Sequence, residues 1–392
     1  MSKLEELIPQ CCPDGVEWKP LTECCNILDG KRKPITKGAR QSGPYPYYGA
    51  NGIQDWVADY IFDGTYVLIG EDGSVITPNG TPIVNWAHGK IWVNNHAHII
   101  AEKTGVLLRF LFYYIQIIDI HNLVHGNIPK LTQGDLKELE IPVPPLPVQE
   151  EIVRILDTFT ELQAELQAEL QKRLQQYNYY RDNLLSFDGR TDVEWKKLGE
   201  IATEWYRGAG IKRDEVSEEG YPCIRYGEIH TTYNIWFDEC VSHTDESQQP
   251  ARKYADYGDI LFAITSEDIP FVGNSVAYLG KERILVGGDI VVMKHTQDPK
   301  YMSYVLSTSD AVKQKGKGKV KSKVVHTNVP SLQEIVVPLP SLEEQKRIAS
   351  TLDKFYSLLN DLTSGLPAEI EKRKQQYEYY RDKLLTFKRI TK

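Results

Sequence analysis

A lysine-rich run late in the chain has the residue types and spacing to bind a phosphate backbone. From Lys313 to Lys323 the sequence reads KQKGKGKVKSK, so lysine occupies every second position. Alternate residues of an extended chain share one face, and ammonium groups on one face can follow the phosphates of a nucleic acid. We therefore expect an extended, DNA-facing strip of lysines here. The alternative is a solvated, flexible loop without a ligand.

Arginine, asparagine and aromatic side chains in loops supply the chemistry for reading the edges of bases. Arginine favours guanine, asparagine favours adenine, and lysine can serve phosphates. Loops on a rigid scaffold are where such contacts are usually found. The candidate DNA-binding residues in the first part of the chain are Lys31, Arg32, Tyr47, Asn51, Asn94 and Asn95. Those in the later part are Arg207, Arg225, Tyr226, Ser266, Lys315, Lys317, Lys319 and Lys321.

The sequence contains no motif that would make this chain an enzyme by itself. It has no G-x4-G-K-[ST] phosphate loop and no G-x-G-x-x-G that opens a helix after a strand. It also lacks [DNS]-P-P-[YFW], the motif with which amino-methyltransferases hold the target amine. Pro13–Asp14 followed by Glu17–Trp18–Lys19 superficially resembles a nuclease signature, but the gap between the two parts is too short. We predict no catalytic residue in this chain.

Histidines and cysteines are the remaining groups that could bind a metal. His96 and His98 would share a strand face, and His88, His121 and His125 are not far off in sequence, so a metal site is one interpretation. Such histidines more often form hydrogen bonds with nearby residues or face a ligand. The vicinal cysteines lack zinc-ribbon spacing, so we expect reduced thiols that pack as small hydrophobes. We predict no bound metal.

The scaffold that must position these side chains is an internal repeat. QQYNYYRDNLLSF begins at Gln175 and QQYEYYRDKLLTF begins at Gln375, and ten of the thirteen letters are identical. Each copy closes a helical pattern that starts with Q-x2-I-x3-L-D-x-F, at Gln149 and at Gln345. The regions before the helices match only faintly, although Val93–His96 aligns with Val286–Asp289. The chain is therefore a module, a helix, a second module and a second helix.

This repeat predicts four segments and an α+β fold. Module one spans residues 1–147, the central helical spacer 148–187, module two 188–340 and the C-terminal helical spacer 341–392. We expect two globular α/β domains, separated by two long antiparallel helices in a coiled coil and related by a pseudo-twofold duplication. The residues predicted to form the helix seam or to dock a partner are Ile152, Phe159, Leu166, Tyr177, Tyr180, Ile348, Leu352, Phe355, Tyr377 and Tyr380. A break at Gly365–Pro367 should interrupt the second helix.

Composition argues against a membrane protein and does not by itself indicate DNA binding. The apolar run Val106–Ile120 contains Arg109 and Asp119, and it is too short to span a bilayer. The N-terminus lacks the apolar segment of a secretory signal, so we expect a cytoplasmic protein. The net charge of −8 is not typical of a nucleic-acid binder, although a binding footprint is local.

These motifs resemble those of the specificity subunit of a Type I restriction–modification system. The resemblance rests on the doubled helix motifs, on the PLP segments that close both modules, and on the loops Tyr45–Gly52 and Tyr221–Gly227. It covers nearly the whole chain. It implies that each module reads one half of a split double-stranded DNA target, while the helices set the spacing and dock two methyltransferase subunits. Those subunits would bind S-adenosylmethionine and flip and methylate an adenine, and motor-nuclease restriction subunits would join them.

Two other functions are compatible with parts of the sequence. A self-contained enzyme that cuts or modifies DNA would be active as the purified chain alone. A coiled-coil assembly scaffold would have no salt-dependent affinity for DNA. We interpret the chain as a non-catalytic DNA-recognition subunit that holds no cofactor of its own.

Overall fold

The computed structural model describes residues 3–73, 75–249, 251–267, 271–316, 319–321, 324–360 and 365–390. Contacts divide the chain into two compact units. The first unit is Met1–Gln167 together with Glu369–Lys392, and the second unit is Ala168–Ala368. Each unit therefore combines one module with the start of the helix that follows it and with the end of the other helix.

The first unit is built on a six-stranded mixed sheet with the order β2-β7-β5-β6-β3-β4. β-Branched and aliphatic residues such as Val67, Ile69 and Ile100 fill its strands and form a core with the buried face of α3. Its strands are β1 (Glu17–Pro20), β2 (Cys25–Ile27), β3 (Tyr45–Gly49), β4 (Gly52–Val57), β5 (Phe62–Gly70), β6 (Val84–Val93), β7 (Ala97–Glu102), β8 (Val124–His125), β9 (Lys130–Leu131) and β10 (Glu140–Val143). Its helices are α1 (Lys3–Cys11), α2 (Leu21–Cys24), α3 (Leu108–Ile115), α4 (Gln133–Lys137) and the start of α5 (Leu146–Leu184).

The second unit contains two five-stranded sheets and a three-stranded one. Their orders are β12-β22-β18-β20-β15, β13-β16-β14-β21-β17 and β19-β24-β23. The strands are β11 (Glu194–Lys197), β12 (Ala202–Arg207), β13 (Val216–Ser217), β14 (Tyr221–Ile224), β15 (Trp236–Phe237), β16 (Ser242–Thr244), β17 (Tyr254–Ala255), β18 (Ile260–Ala263), β19 (Thr265–Ser266), β20 (Ser275–Tyr278), β21 (Ile284–Val286), β22 (Ile290–His295), β23 (Lys319–Lys321), β24 (Val324–His326) and β25 (Val336–Leu339). The helices are α6 (Leu198–Ile201), α7 (Tyr226–Thr231), α8 (Pro299–Leu306), α9 (Ser309–Lys315), α10 (Val329–Gln333), α11 (Leu342–Asn360) and α12 (Gly365–Leu384), of which α12 continues into the first unit.

The two modules share one parallel pair of strands. In the first, Tyr48 of β3 pairs in parallel with Val93 of β6. In the second, Ile224 of β14 pairs in parallel with Val286 of β21. This register confirms the predicted alignment of Val93 with Val286, and it makes Ala50 the positional equivalent of Tyr226.

A buried glutamine ties each long helix to its own module. Gln149 accepts a hydrogen bond from the Leu107 amide at 2.9 Å and donates to the Pro144 carbonyl at 2.7 Å. Gln345 does the same with the Asp298 amide at 3.0 Å and the Pro340 carbonyl at 2.9 Å. Both side chains are fully buried, so this clamp explains the glutamine that opens each helix motif.

An aspartate two turns further along repeats the attachment. Asp157 accepts hydrogen bonds from Arg109 at 2.7 Å and from the Tyr113 hydroxyl. Asp353 accepts from Lys300 at 2.5 Å and from the Tyr304 hydroxyl at 2.6 Å. Because each aspartate joins a helix to a cation and a tyrosine of its own module, the angle between the helix and the module is fixed at two points.

The end of each helix packs on the module of the other repeat. Tyr177, Leu185 and Phe187 belong to the core of the second unit. Tyr377, Leu384, Leu385 and Phe387 pack with the core of the first unit. The segment after α12 is also paired there, since the Val16 amide donates to the Lys388 carbonyl at 2.8 Å.

The seam residues separate into buried and exposed groups. Phe159 stacks on Tyr380 with ring centroids 5.6 Å apart, and its ring lies 6.5 Å from that of Tyr377. In the second unit Tyr177 lies 6.1 Å from Tyr356. Ile152, Ile348 and Leu352 pack into the module cores, Leu166 is half-buried, and Phe355 and Tyr180 are exposed.

Two predictions concern the C-terminal third of the chain. The lysine run is not one extended strip, because Lys313 and Lys315 lie in α9, whereas Lys319–Lys321 form β23. The predicted break at Gly365–Pro367 coincides with the first turn of α12, and residues 361–364, which precede it, lie outside the described residues. None of the helices in the described ranges is long and apolar enough to cross a bilayer.

Candidate nucleic-acid interface

A cleft of about 890 Å3 in module two gathers three of the predicted DNA-binding residues. The loop after β12, the start of α7 and the turn between β21 and β22 form its walls. The charged and aromatic side chains that line the cleft are those of Arg207, Arg213, Arg225, Tyr226, Glu228 and Asp289. Residues that are far apart in sequence therefore meet at one surface.

Glycines allow these three segments to lie against one another. The Gly208 amide donates to the Ile290 carbonyl at 2.9 Å, and the Gly287 amide donates to the Ile224 carbonyl at 2.9 Å. A Cβ on Gly208 would collide with the carbonyl oxygens of Val286 and Gly287. The close approach of the backbones thus depends on the absence of a side chain there.

The three arginines of the cleft differ in how they are held. Arg207 donates to Asp289 at 2.6 Å, and Arg225 donates to Glu228 at 3.1 Å. Glu228 is itself fixed by the Ser242 hydroxyl at 2.7 Å. Arg213 is exposed and has no hydrogen bond or ion pair to any residue that the structure describes. It is therefore the guanidinium most available to a phosphate.

A second cavity of about 480 Å3 shares Tyr226, Gly227 and Thr231 with the cleft. Its other lining residues are His230, Thr265, Ser266, Glu267 and Phe271. The sequence predictions included Tyr226 and Ser266 but missed Arg213, His230 and Phe271. The signal that could have indicated Phe271 is a large apolar residue in the connection just after a buried strand.

The described lysines of the predicted strip include one buried residue, Lys315, and those of the strand β23. Lys315 is buried, and its ammonium group donates to the Leu306 carbonyl at 2.8 Å and to the Ser275 hydroxyl at 3.0 Å. Burial lowers the pKa of Lys315 to about 7. We therefore withdraw Lys315 as a DNA contact, because its polar atoms are used inside the module.

The lysine strand adjoins the second cavity through the backbone. Lys319 pairs with His326 of β24, which pairs in turn with Thr265 of β19. Lys319 and Lys321 are the first and third residues of β23. Lys317 lies outside the described residues.

In module one the predicted residues also divide. Lys31, Asn51 and Asn95 are exposed and stay candidates. The other three are used internally, and we withdraw them. Arg32 donates to the Ala97 carbonyl at 2.7 Å and forms an ion pair with Glu71. The hydroxyl of the buried Tyr47 accepts a hydrogen bond from the Ile35 amide at 3.0 Å. The Asn94 side chain accepts a hydrogen bond from the His96 amide at 2.8 Å.

Asp29, Glu71 and His98 are close enough in module one to be considered as metal ligands. His98 Nδ1 lies 2.6 Å from Asp29 and Nε2 lies 2.9 Å from the Leu131 carbonyl, so both ring nitrogens face acceptors. Burial alone would raise the pKa of Asp29, but hydrogen bonds from His98 and Ile99 hold it below its usual value. This geometry favours an internal network of hydrogen bonds and ion pairs, in which both ring nitrogens of His98 already have protein partners.

The cysteines have the character of buried thiols. All six are free, and burial raises the pKa of Cys24 to about 11 and that of Cys25 to about 12. A thiol rather than a thiolate is the form expected at neutral pH, and the thiol is a poor metal ligand.

Comparison with known proteins places two family domains on this chain. Residues 13–176 and 191–372 each match the family described as the Type I restriction modification DNA specificity domain. A putative type I restriction enzyme specificity subunit of Haemophilus influenzae is 36% identical over 384 residues, which cover 95% of this chain and 96% of that protein. The specificity subunit of a type I restriction enzyme of Escherichia coli is 33% identical, with coverage of 99% and 97%.

Solved structures show the same fold. One, titled as describing complex assembly and conformational transition of the type I R-M system, has a TM-score of 0.57 with 16% identity, over 95% of this chain and 98% of that chain. The S subunit of a Type-I restriction-modification system from M. genitalium has a TM-score of 0.51 with 16% identity, over 95% and 96%. Both likenesses extend over the full α/β arrangement of modules and helices.

Proposed function

The chain belongs to the Type I restriction–modification DNA specificity family, and from that premise we propose how its parts divide the work. The protein is a DNA-recognition subunit of a Type I restriction–modification system. Each module reads one half of a bipartite target, and the helices set the spacing between the halves. The chain itself performs no catalysis, and modification of the DNA is carried out by partner subunits.

The observation that carries this proposal is that the two units share their scaffold but differ in their candidate reading surfaces. Gln149 and Gln345 make equivalent bonds. Where module two has Tyr226, the paired strands of module one place Ala50. A duplicated support with unlike surfaces is what a protein needs to read two different half-sites.

The DNA contacts proposed for module two are Arg207, Arg213, Arg225 and Tyr226 in the cleft, with Ser266 in the adjoining cavity. Lys319 and Lys321, in the strand that adjoins this cavity, would bind phosphates of the DNA backbone. In module one we keep Lys31, Asn51 and Asn95, which are exposed. Basic groups near phosphates give affinity, whereas arginine and amide groups can distinguish base edges.

The exposed aromatic residues of the helices are the proposed contact with two methyltransferase subunits. Tyr179 and Phe355 are 65% and 51% exposed, and Tyr180, Tyr379 and Leu358 are exposed as well. Exposed apolar residues that cluster, as Tyr179 does with Tyr180 and Tyr379 with Tyr380, can mark a surface that a partner covers. S-adenosylmethionine would be bound by those methyltransferase subunits, and restriction subunits would complete the complex.

The test is to sequence methylated adenines in DNA treated with this chain and its methyltransferase partner, with each protein alone as a control. The expected result is a split motif that is methylated only when both proteins are present. Methylation or cleavage by this chain alone would instead make it an enzyme. If the chain binds no DNA in a salt-dependent manner while the partner is active, the scaffold function would replace the proposal.

A further inference from the structure

We propose that module two holds one unstacked nucleotide, with its base between Tyr226 and Phe271 and its phosphate in the arginine-lined cleft. The inference deepens the proposed function and rests on it. It assigns to the recognition subunit a base-holding site of its own, in addition to any contact that it makes with base edges in a groove.

Two exposed aromatic side chains line the second cavity. Tyr226 is 39% exposed and Phe271 is 51% exposed, yet both line the same cavity of about 480 Å3. The Tyr226 ring packs edge-on against His230, with centroids 6.2 Å apart, so its orientation is fixed by the next turn of α7. The cavity volume lies within the range of about 300–1,000 Å3 that is usual for small-ligand sites.

A base within a duplex cannot enter such a cavity. Neighbouring base pairs cover both of its faces, and only its edges are accessible from the grooves. A base that has left the stack presents two bare faces, and proteins hold it by stacking aromatic side chains against them. A cavity that is lined by two exposed aromatic side chains therefore suits an unstacked base and not a stacked one.

The neighbouring cleft supplies the partner for the sugar–phosphate part of the nucleotide. Tyr226, Gly227 and Thr231 line both cavities, so a ligand can occupy the two together. Arg213 and Arg225 lie on the far side of this shared wall. Since Arg213 has no partner among the residues that the structure describes, a phosphate there would meet an uncommitted guanidinium.

The polar groups of the aromatic cavity favour a base that carries an amino group. His230 is already committed, because Nε2 lies 3.1 Å from the Thr265 carbonyl and Nδ1 lies 3.4 Å from the Asn274 amide nitrogen. Glu267 is exposed and makes no hydrogen bond or ion pair within the described part of the chain. A carboxylate suits the exocyclic amino group of adenine, cytosine or guanine, whereas the single N3–H donor of thymine lies between two carbonyl oxygens that a carboxylate repels.

The test measures binding of the full chain to one labelled duplex that is fully paired or that carries a single unpaired adenine, cytosine, guanine, thymine or abasic site. We expect an unpaired amino-bearing base to improve affinity over the abasic site by about tenfold, the order expected for stacking on aromatic rings. Unpaired thymine should improve the affinity less than the amino-bearing bases do. Phe271→Ala and Tyr226→Ala should each bring the affinity for the unpaired base closer to that for the abasic site. Glu267→Gln should reduce the difference in affinity between unpaired thymine and the other unpaired bases.

Tyr257→Ala is the matched control, because Tyr257 is an exposed aromatic residue of the same module that lines neither cavity. It should keep the preference for an unpaired base. If the wild-type chain binds the paired duplex in a salt-dependent manner but shows no preference for any unpaired base, the inference is overturned and the proposed function stands. If the chain has no salt-dependent affinity for any duplex, both fail together.

Discussion

Replacing Gln345 with methionine removes the clamp between α11 and module two while nearly preserving side-chain volume. Gln345 is fully buried and accepts from the Asp298 amide at 3.0 Å. It also donates to the Pro340 carbonyl at 2.9 Å and to the Gln297 side chain at 3.0 Å. A methionine in its place leaves a buried amide and a buried carbonyl without these partners.

The magnitude follows from the two backbone groups that are left unpaired. A buried donor or acceptor that loses its partner costs about 1–3 kcal/mol. We therefore expect Gln345→Met to lower the free energy of unfolding of the second unit by about 2–5 kcal/mol. For a domain of this size each kcal/mol lowers the melting temperature by about 2–4 °C, so the shift should be easily measured.

The assay combines urea unfolding with hydrogen–deuterium exchange read peptide by peptide. Exchange should increase at the start of α8 and in the segment around Pro340, because those backbones lose their anchor. Gln149→Met should have the corresponding effect in the first unit, on the backbone near Leu107 and Pro144. Gln175→Met, at an exposed position of α5, is the control and should change stability by less than about 0.5 kcal/mol.

The reasoning would be refuted if Gln345→Met unfolded like the wild type and left exchange at α8 unchanged. The clamp would then be incidental to the attachment of the helix. A loss of protection spread evenly over the second unit would also contradict it, since the bonds of Gln345 are confined to the α8 and β25 ends.

Three further predictions concern Lys315, the lysine strand and the helix surface. Because burial holds the pKa of Lys315 at about 7, below its unfolded value of about 10.4, the unfolded chain binds more protons between these pH values. The free energy of unfolding should therefore rise with pH across that window and fall as the pH is lowered toward 7. Urea unfolding at pH 7 and 9 should show a larger change for the wild type than for Lys315→Met. Lys319→Ala with Lys321→Ala should weaken binding to all DNA sequences alike and flatten the salt slope by about 0.9 per lost phosphate contact, and a changed target sequence in the methylation assay would contradict that role. Tyr179→Ala and Phe355→Ala should weaken methyltransferase association by about tenfold in calorimetry, the order expected for an exposed aromatic anchor, with unfolding unchanged.

The sequence alone determined the duplication, the long helices and the family. These depend on letters that recur at fixed spacing and on apolar periodicity, which are properties of the chain taken in order. The apolar runs at 66–69, 97–100 and 108–115 lie in β5, β7 and α3, because a continuous apolar run is stable mainly when it is buried in a core. The motif glutamines were also visible as a repeat, although their role was not.

Only the tertiary structure decided which polar residues face outward. Tyr47 and Lys315 are residue types that are common in DNA-binding surfaces, but their polar atoms form hydrogen bonds inside the modules. Conversely, Arg213 and Phe271 line neighbouring cavities, although nothing in their sequence spacing predicts this. The physical reason is that burial and hydrogen-bond partners are set by residues far apart in the chain, as with Gln345 and the amide of Asp298, 47 residues earlier. A local pattern records the type of a side chain, whereas the fold decides what surrounds it.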